Sequence, residues 1–303
     1  MIISLTSFPA RLPQIGKCLQ SLIDQLEPED HLVLWLGEEK FPNRMEDVPE
    51  NIRSISTEAG GSVEIRFTHD RRSFTKLLPA LAAFPNDCII TVDDDTIYKP
   101  GTVALLKAAH RRNKTAIFAH GVSDVYRIGK QWKRTMGSFG FHHSPVHLRM
   151  PLGICGVLYP PHSLHPIASD ESLFMKLCPT TDDIWFWYCA VKQGTPVLRA
   201  PHAIRRVTFA AGWSVGALSA TNETHGDKVN RENIRRLMEF DPAFANKLSE
   251  IADRNRLRTA FSLAGRYLIH YPRQILHCLR TGGWRFLRSQ INCLFNFALF
   301  KSE

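Results

Sequence analysis

Short apolar runs alternate with helical patterns along the first third of the chain. The runs at 31–36 and 88–92 are continuous and end at glycine or acidic positions, as buried strands do. Between the runs, apolar residues recur at three- and four-residue spacing, the period of a helix face. The pattern predicts strands at 2–6, 31–36, 63–67 and 88–92, and helices at 15–26, 74–84 and 102–112. This alternation favours an α/β fold with a largely parallel sheet covered on both faces.

The pattern of the next hundred residues is less regular. Residues 120–152 are rich in histidine, glycine, aromatic and basic residues, and they predict an irregular segment with a hairpin. A glycine-containing strand is predicted at 153–159, ended by two prolines. A helix is predicted to open at Thr181, which can cap it, with two acids in its first turn.

Composition excludes several classes of protein. Hydrophobic residues make up 44% of the 303 residues and charged residues 22%, which excludes a disordered or fibrous chain. No window approaches ~18 uninterrupted apolar residues, and the first residues lack the basic flank and apolar run of a signal peptide. The seven cysteines include no CxxC pair, which disfavours a disulfide framework or a zinc cage. A reduced, cytoplasmic location is therefore expected.

The net charge of +9 is concentrated at one end of the chain. Residues 1–253 carry 29 Lys/Arg against 28 Asp/Glu, whereas residues 254–303 carry 9 against 1, which gives +1 and +8. Apolar residues recur at helical spacing over 284–300, beside arginines, which is typical of an interfacial helix. The tail therefore predicts binding to an anionic membrane surface, with docking on the protein's own core as the alternative. Nucleic acid is the least favoured partner, because no known nucleic-acid motif appears.

Three adjacent carboxylates, Asp93, Asp94 and Asp95, follow the strand predicted at 88–92. Ligands of such sheets bind beyond the carboxyl ends of the strands. Adjacent carboxylates repel one another unless a cation neutralises them, and oxygen ligands suit Mg²⁺ or Mn²⁺. Alternation directs Asp93 and Asp95 to one side and Asp94 to the other. A divalent metal site is the favoured interpretation, and a solvated acidic turn is the alternative.

A second acidic pair, Asp182 and Asp183, stands in the first turn of the helix that follows Thr181. The simple interpretation is favourable charge at the positive end of a helix, worth ~0.5 kcal/mol. The aromatic residues at 185–188 change that balance, because such surface can bury a carboxylate, raise its pKa and make it a usable base. The same surface suits packing against a sugar ring.

Several segments, in order along the chain, resemble one known family. They are Ser-Leu-Thr-Ser-Phe-Pro-Ala-Arg, Trp-Leu-Gly-Glu-Glu-Lys-Phe-Pro, the strand that ends in Val-Asp-Asp-Asp, Gly-x-x-Gly-Val-Leu-Tyr-Pro-Pro and Thr-Asp-Asp-Ile-Trp-Phe-Trp. Over about residues 1–240, the chain resembles GT-A fold nucleotide-sugar glycosyltransferases, and more narrowly bacterial surface-polysaccharide glycosyltransferases. The predicted organisation is a GT-A-like, Rossmann-like α/β domain at 1–245 and a basic amphipathic helical appendage at 246–303.

The resemblance implies roles for both acidic clusters. Asp93 and Asp95 match the DxD motif, which holds Mn²⁺ or Mg²⁺ and, through it, the donor diphosphate, with Asp94 also at the donor. Asp183 matches the position whose carboxylate deprotonates the acceptor hydroxyl in inverting members. Asp182 stands where a glutamate is more usual, so which of the two acids is the base stays open.

Four further positions are candidates for contact with the metal or the donor. GT-A enzymes often place a C-terminal histidine on the metal, and His225 is preferred here over His202. Thr6 and Arg11 flank the end of the first strand, where GT-A folds hold the nucleotide, and the fork of Arg11 suits phosphate. Lys76, in the first turn of a predicted helix, faces an unfavourable dipole, which an anionic partner would explain. Solvated surface roles are the alternative for each.

Two glycines at 153 and 156 lack the spacing of a phosphate-binding loop, which excludes a dinucleotide oxidoreductase. The predicted function is transfer of a sugar from a nucleoside-diphosphate sugar, expected to be UDP-linked, to a growing glycan or lipid-linked glycan at the inner face of the cell membrane. Inversion is favoured because a candidate base exists, and retention stays open. The rival classes are a sugar nucleotidyltransferase and a non-catalytic, membrane-tethered glycan-binding or scaffold protein.

Overall fold

The structure is a computed structural model that describes residues 1–129, 131–135, 145–202, 208–209, 224–255 and 257, with the backbone alone at 128 and 224–226. An eight-stranded sheet organises this part of the chain. Its strands run in the order β3, β2, β1, β4, β8, β6 and β7, and β9 pairs with β6. The α/β architecture predicted from the sequence is therefore confirmed.

Four parallel strands form one half of the sheet. They are β1 (Ile2–Ser7), β2 (His31–Gly37), β3 (Val63–Thr68) and β4 (Ile89–Thr91). Ile2 pairs with His31 on one side and with Ile89 on the other, so the carboxyl ends of the strands meet at one edge. The nearly continuous apolar sequences of β2 and β4 are explained by burial on both faces, whereas β3 alternates and is only partly buried.

The other half of the large sheet is mixed. It contains β6 (Ile117–Ile128), β7 (Gln131–Arg134), β8 (Arg149–Tyr159) and β9 (Val197–Arg199). Strand β8 runs antiparallel to both β4 and β6, whereas β9 is parallel to β6. A separate two-stranded sheet pairs β5 (Thr96–Ile97) with β10 (Thr208–Phe209). The parallel arrangement predicted for the first strands thus does not extend across the whole sheet.

Helices cover both faces of the sheet. They are α1 (Gly16–Ile23), α2 (Glu50–Glu58), α3 (Leu78–Ala83), α4 (Thr102–Arg112), α5 (Glu171–Leu177), α6 (Asp182–Gln193), α7 (Thr224–Phe240) and α8 (Pro242–Arg254). Alternate strand residues enter different cores: Ile2 and Val33 pack with α6, whereas Ile3 and Leu32 pack with α1. This alternation is expected of strands whose successive side chains point to opposite faces.

Three sequence predictions about the elements need correction. The helix predicted at 74–84 is a 3₁₀ turn (Arg72–Lys76) followed by the short helix α3, which has a proline in its first turn. The hairpin predicted within 120–152 is observed as β6 and β7, but other parts of that segment, predicted to be irregular, belong to β6 itself and to the start of β8. Helix α2 was not predicted, because its sequence is mostly polar and only Ile52 is fully buried.

The predicted domain boundary after residue 245 falls inside helix α8. Asp241 caps this helix through a hydrogen bond that its side chain accepts from the Phe244 backbone N–H. Phe244 and Leu248 are buried in the same core as α6, so α8 belongs to the sheet domain. The amphipathic segment predicted at 284–300 lies outside the described residues. Within the part described, no helix combines the length and apolar character needed to cross a membrane.

Candidate active site

The two acidic clusters meet at the carboxyl edge of the sheet. Strand β4 ends at Thr91, and Asp93, Asp94 and Asp95 follow it. Helix α6 begins at Asp182 and brings the second cluster to the same place. Lys76, from the 3₁₀ turn after β3, connects them. The tertiary structure therefore gathers five carboxylates from two clusters. Within each cluster the residues are adjacent in the sequence, whereas the two clusters stand 87 to 90 positions apart.

Asp94 is the buried member of its triplet, with its side chain 6% exposed. Its carboxylate accepts a hydrogen bond from Ser7 Oγ at 2.6 Å and pairs with Arg11 Nη1 at 2.5 Å. Arg11 Nη1 also lies 3.2 Å from Asp95 Oδ2. Burial raises the pKa of Asp94, and the charge of Arg11 acts against that rise. Through these contacts, Asp94 and Arg11 stabilise the conformation of the chain after β4. The predicted phosphate contact of Arg11 stays a prediction.

Asp93 and Asp95 remain more open than Asp94. Their side chains are 27% and 15% exposed, against 6% for Asp94. The Asp93 backbone N–H donates a hydrogen bond to the Tyr98 hydroxyl at 2.7 Å, which fixes the chain directly after β4. Burial and the neighbouring charge of Asp93 raise the pKa of Asp95 to about 6. Asp95 shares Arg11 with Asp94, whereas Asp93 pairs with Lys76, so the predicted placement of Asp93 and Asp95 on one side stays a prediction.

Lys76 lies between the two acidic clusters. Its Nζ is 2.7 Å from Asp93 Oδ1 and 3.0 Å from Asp182 Oδ2, and the residue is only 7% exposed. Burial alone would lower the pKa of Lys76, but the charges of Asp182, Asp93 and Asp183 outweigh it and raise that pKa well above its ordinary value. The anionic partners found for Lys76 are thus the protein's own carboxylates, and its predicted contact with the donor stays a prediction.

A bulge in β8 reaches the same point. Ala119 pairs with Val157 and Gly121 with Leu152, so residues 153–156 of β8 stand opposite one residue of β6. Gly156 has φ of +94°, which favours glycine. At Gly153, a Cβ would lie 2.8 Å from Lys76 Nζ, so only glycine fits without displacing the ammonium. Strand β8 is therefore bulged at the glycine pair, and its backbone closely approaches Lys76.

Asp182 and Asp183 occupy the first turn of α6, as predicted. Asp182 is 7% exposed, whereas Asp183 is partly open although protein surrounds it closely. The Gly153 backbone N–H donates a hydrogen bond to Asp183 Oδ1 at 3.1 Å. Burial, followed by the charge of Asp182, raises the pKa of Asp183 to about 7. A carboxylate with this pKa is a suitable general base near neutral pH.

Two details of this helix start differ from the sequence predictions. Thr181 stands at the capping position but its side chain does not cap α6; its Oγ1 accepts a hydrogen bond from Asn233 Nδ2 of α7 at 2.7 Å. The aromatic residues at 185–188 are at most 1% exposed and pack in the core. Trp185 Nε1 donates to the Ala168 carbonyl at 3.0 Å. These rings bury the start of α6, but they offer no surface on which a sugar could pack.

The remaining candidates are Thr6, His225 and His202. Thr6 Oγ1 donates a hydrogen bond to the Trp35 carbonyl at 2.9 Å, within the sheet. His225 falls in the first turn of α7 and not in the predicted loop, and its side chain lies outside the described residues. His202, the second choice, is exposed in the turn after β9 and has φ of +55°. The predicted roles of these three residues stay predictions.

Sequence reasoning missed three contributors to the site. They are the Ser7 hydroxyl, the Tyr98 hydroxyl and the Gly153 N–H. Serines, tyrosines and backbone groups are too common to stand out in a sequence. The glycine pair of β8 was the only available signal, and it indicated a close approach without indicating to what.

The donor set of the site fits a hard divalent cation. Five carboxylates (Asp93, Asp94, Asp95, Asp182 and Asp183) share two cationic side chains (Arg11 and Lys76). The two acids that remain most open in the triplet, Asp93 and Asp95, supply only oxygen ligands. Mg²⁺-type ions are commonly held by one or two carboxylates with substrate phosphates completing the shell. Among the described residues, no group of three or more His, Cys, Asp or Glu side chains is arranged to hold a metal ion on its own.

Comparisons with known proteins give matches to solved structures alone, since no family model and no curated protein matches the chain. The mannosyltransferase PcManGT from Pyrobaculum calidifontis, solved with GDP-Man and Mn²⁺, is 12% identical over 94% of this chain and 80% of its own, with a TM-score of 0.48. Glucosyl-3-phosphoglycerate synthase from Mycobacterium tuberculosis, solved with Mn²⁺, UDP and glucosyl-3-phosphoglycerate, is 13% identical over 78% and 79%, with a TM-score of 0.40.

A third match is the CMP:2-keto-3-deoxy-manno-octonic acid synthetase complexed with CTP. It is 10% identical over 66% of this chain and 89% of its own, with a TM-score of 0.39. The solved structures that this chain resembles thus include a glycosyltransferase, the class to which the sequence motifs point, and a nucleotide-sugar synthetase. At these identities and TM-scores, the likeness is confined to general architecture, and the chemistry follows from the residues of the site.

Proposed function

We propose that the protein is a metal-dependent glycosyltransferase that moves a sugar from a nucleoside-diphosphate sugar to an acceptor hydroxyl. One observation carries the proposal: Asp183, a partly open carboxylate with its pKa raised to about 7, lies beside the metal-suited Asp93 at Gly153, where a Cβ would stand 3.3 Å from Asp183 Oδ1 and 3.5 Å from Asp93 Oδ1. Proton abstraction and stabilisation of a departing diphosphate are the two requirements of this reaction. The site offers a group for each within one crevice at the carboxyl edge of the sheet.

The donor side of the site is assigned to Asp93 and Asp95. These two carboxylates would hold a divalent ion, Mn²⁺ or Mg²⁺, which when bound stabilises the negative charge that develops on the departing diphosphate. Arg11 and Ser7 hold Asp94 in its buried position, which leaves Asp93 and Asp95 as the more exposed members of the triplet. Thr6, near the end of β1, remains a candidate for contact with the nucleotide.

The acceptor side is assigned to Asp183. Its Oδ1 is engaged by the Gly153 N–H, which leaves Oδ2 to take the proton from the acceptor hydroxyl. The acceptor oxygen then bonds to the anomeric carbon of the donor, and the bond from that carbon to the diphosphate oxygen breaks with its electron pair. A base that activates the acceptor directly favours inversion. Asp182 is paired with Lys76 and is therefore the weaker candidate for the base.

The finer assignment concerns the donor, the acceptor and the location. We infer a UDP-linked donor and a growing surface glycan or a lipid-linked glycan as the acceptor, from the sequence resemblance. The C-terminal tail supports a location at the inner face of the cell membrane, because residues 254–303 carry 9 basic residues and 1 acid. Attraction of ~1 kcal/mol per basic residue near an anionic surface would hold the enzyme beside a lipid-linked substrate.

The test is a panel of nucleotide sugars incubated with the purified protein and Mn²⁺, with and without EDTA. We expect one donor to be hydrolysed slowly without acceptor, only when metal is present, and the D183N variant to lose this reaction. Products are identified by mass spectrometry. Formation of a nucleotide sugar from a sugar phosphate and a nucleoside triphosphate would instead identify a nucleotidyltransferase. Absence of metal-dependent donor binding would identify a glycan-binding or scaffold protein with a degenerate site.

A further inference from the structure

Lys76 is the one described residue that contacts both acidic clusters. Its ammonium lies 2.7 Å from Asp93 Oδ1 and 3.0 Å from Asp182 Oδ2. A buried lysine needs such compensation, because an unpaired charge away from water is strongly destabilising. The clusters likewise need the lysine, since Asp93 and Asp182 would otherwise face one another without a counter-charge.

The position of the ammonium is closely constrained. The Ser4 hydroxyl donates a hydrogen bond to the Lys76 carbonyl at 2.5 Å, which ties the end of the 3₁₀ turn to strand β1. Gly153 closes the other side, where even a methyl group would come within 2.8 Å of Nζ. Little space remains into which the ammonium could move. Three separate elements, the 3₁₀ turn, β1 and β8, therefore hold the ammonium between the clusters.

We propose that Lys76 is a positioning residue whose ammonium joins the metal-binding carboxylate Asp93 to the acidic start of α6 and competes with the divalent cation for Asp93. The metal part of this inference rests on the proposed function, which assigns a divalent ion to Asp93. The joining part rests only on the observed ion pairs. Lys76 thereby sets the separation between the donor-side and acceptor-side carboxylates.

This role and direct binding of the donor phosphates predict different effects on metal affinity when the lysine is removed. A lysine that bound phosphate would leave the affinity for metal unchanged when removed, and the donor would bind less tightly. A lysine that competes for Asp93 lowers the affinity for metal, because its positive charge lies within hydrogen-bond distance of a ligand oxygen. Removal of the ammonium should therefore tighten the binding of Mn²⁺, although it impairs catalysis.

The first experiment measures Mn²⁺ binding to the full chain by calorimetry, without donor, for wild type, K76M and K76R. We expect K76M to bind Mn²⁺ about tenfold more tightly or better, and K76R to stay near wild type because it keeps the charge. In the transfer assay, K76M should lower kcat about a hundredfold or more with a smaller change in the donor KM. A weaker donor affinity with unchanged Mn²⁺ affinity would overturn the inference.

Lys107 provides a matched control. It is also a buried lysine with two acidic partners, Asp30 at 2.5 Å and Glu27 at 2.7 Å, but it joins α4 to the segment between α1 and β2. K107M removes a buried ammonium of the same kind without touching either cluster of the site. It should lower the thermal stability while the affinity for Mn²⁺ stays within twofold of wild type. A change in Mn²⁺ affinity equal to that of K76M would show a general effect of lost charge.

A second experiment is independent of metal and of transfer. The thermal stabilities of K76M, D182N and K76M/D182N form a double-mutant cycle for the ion pair. We expect K76M to lower Tm clearly and the added D182N change to recover at least half of the loss, because it removes one unpaired carboxylate. Additive losses would overturn the joining role. If wild type binds no Mn²⁺, the metal dependence of the proposed function is wrong, and the competing role of Lys76 is overturned with it. The double-mutant cycle still decides whether Lys76 joins the two clusters.

Discussion

The backbone N–H of Gly153 donates a hydrogen bond to Asp183 Oδ1 at 3.1 Å, so the bulge of β8 directly contacts the first turn of helix α6. The bulge brings a backbone donor to a carboxylate whose pKa is raised to about 7 by burial and by the charge of Asp182. This single bond orients the candidate base and leaves its second oxygen for the acceptor. The bulge depends on Gly153 and Gly156, whose conformation or close contacts disfavour a side chain.

The substitution Gly153→Ala tests the importance of this contact. Its Cβ would lie 2.8 Å from Lys76 Nζ and 3.3 Å from Asp183 Oδ1, so both groups must shift. We expect turnover to fall about tenfold or more and stability to fall by about 1–3 kcal/mol, the usual cost of overpacking. Gly16→Ala is the control, because its Cβ would meet only Ile55 Cδ1 at 3.8 Å. Equal turnover in the two variants would contradict the prediction.

The roles of the two helix-start acids are separated by single amide substitutions. D183N should lower turnover about a hundredfold or more, the usual range for loss of a general base, with donor affinity nearly unchanged. D182N should lower it less, because Asp182 is engaged by Lys76. Donor affinity is measured by calorimetry and turnover by release of the nucleotide. If D183N lost donor binding to the same degree as turnover, Asp183 would be a donor ligand and not the base.

Within the aspartate triplet, substitutions of Asp95 and Asp94 should have different effects. D95A removes a candidate metal ligand and should abolish transfer and weaken metal-dependent nucleotide binding. D94N should keep that binding but lower the free energy of unfolding by about 3 kcal/mol, because it breaks a buried pair with Arg11. Metal-dependent nucleotide binding and denaturant unfolding are measured on both variants. An indispensable Asp94 beside a dispensable Asp95 would reverse the assignment.

The pH dependence of stability should report on His69. Hydrogen bonds with Glu39 and then Glu171 raise the pKa of His69. The folded state thus holds this proton more tightly than the unfolded chain does, so the contribution is complete below about pH 6.5 and is lost as pH rises through the raised pKa. We expect the difference in Tm between wild type and H69Q to be largest at acidic pH and to shrink above neutrality. A constant difference would exclude this linkage.

The tail should bind membranes through charge. A chain that ends after Asn255 keeps helix α8 whole and loses 8 basic residues and 1 acid, which lowers the net charge from +9 to +2. Vesicles with anionic lipid should bind the full chain and release it as salt is added, whereas the shortened chain should not bind. The shortened chain should still hydrolyse the donor. Insoluble protein would indicate that the tail packs on the domain, and salt-insensitive binding would indicate apolar insertion.

The sequence was most informative where one physical signal dominates. The first four strands are apolar runs or, for β3, an alternating pattern, so their positions were predicted to within about two residues. Helix α4 was predicted at its observed bounds, 102–112, because its apolar residues recur with a clear helical period. In the mixed half of the sheet, the end of β8 and a hairpin were predicted, but the long strand β6 was not, because it alternates little and carries histidine, serine and aspartate within it.

The sequence by itself determined the α/β architecture and the two acidic clusters, because strand runs, helix periods and adjacent charges are local features. Only the tertiary structure decided how the clusters relate to one another. Lys76 and Asp182 are separated by more than one hundred positions, and their ion pair depends on the order of the strands and on the β8 bulge. Contacts between distant segments follow from how whole elements pack, and no local pattern records that packing.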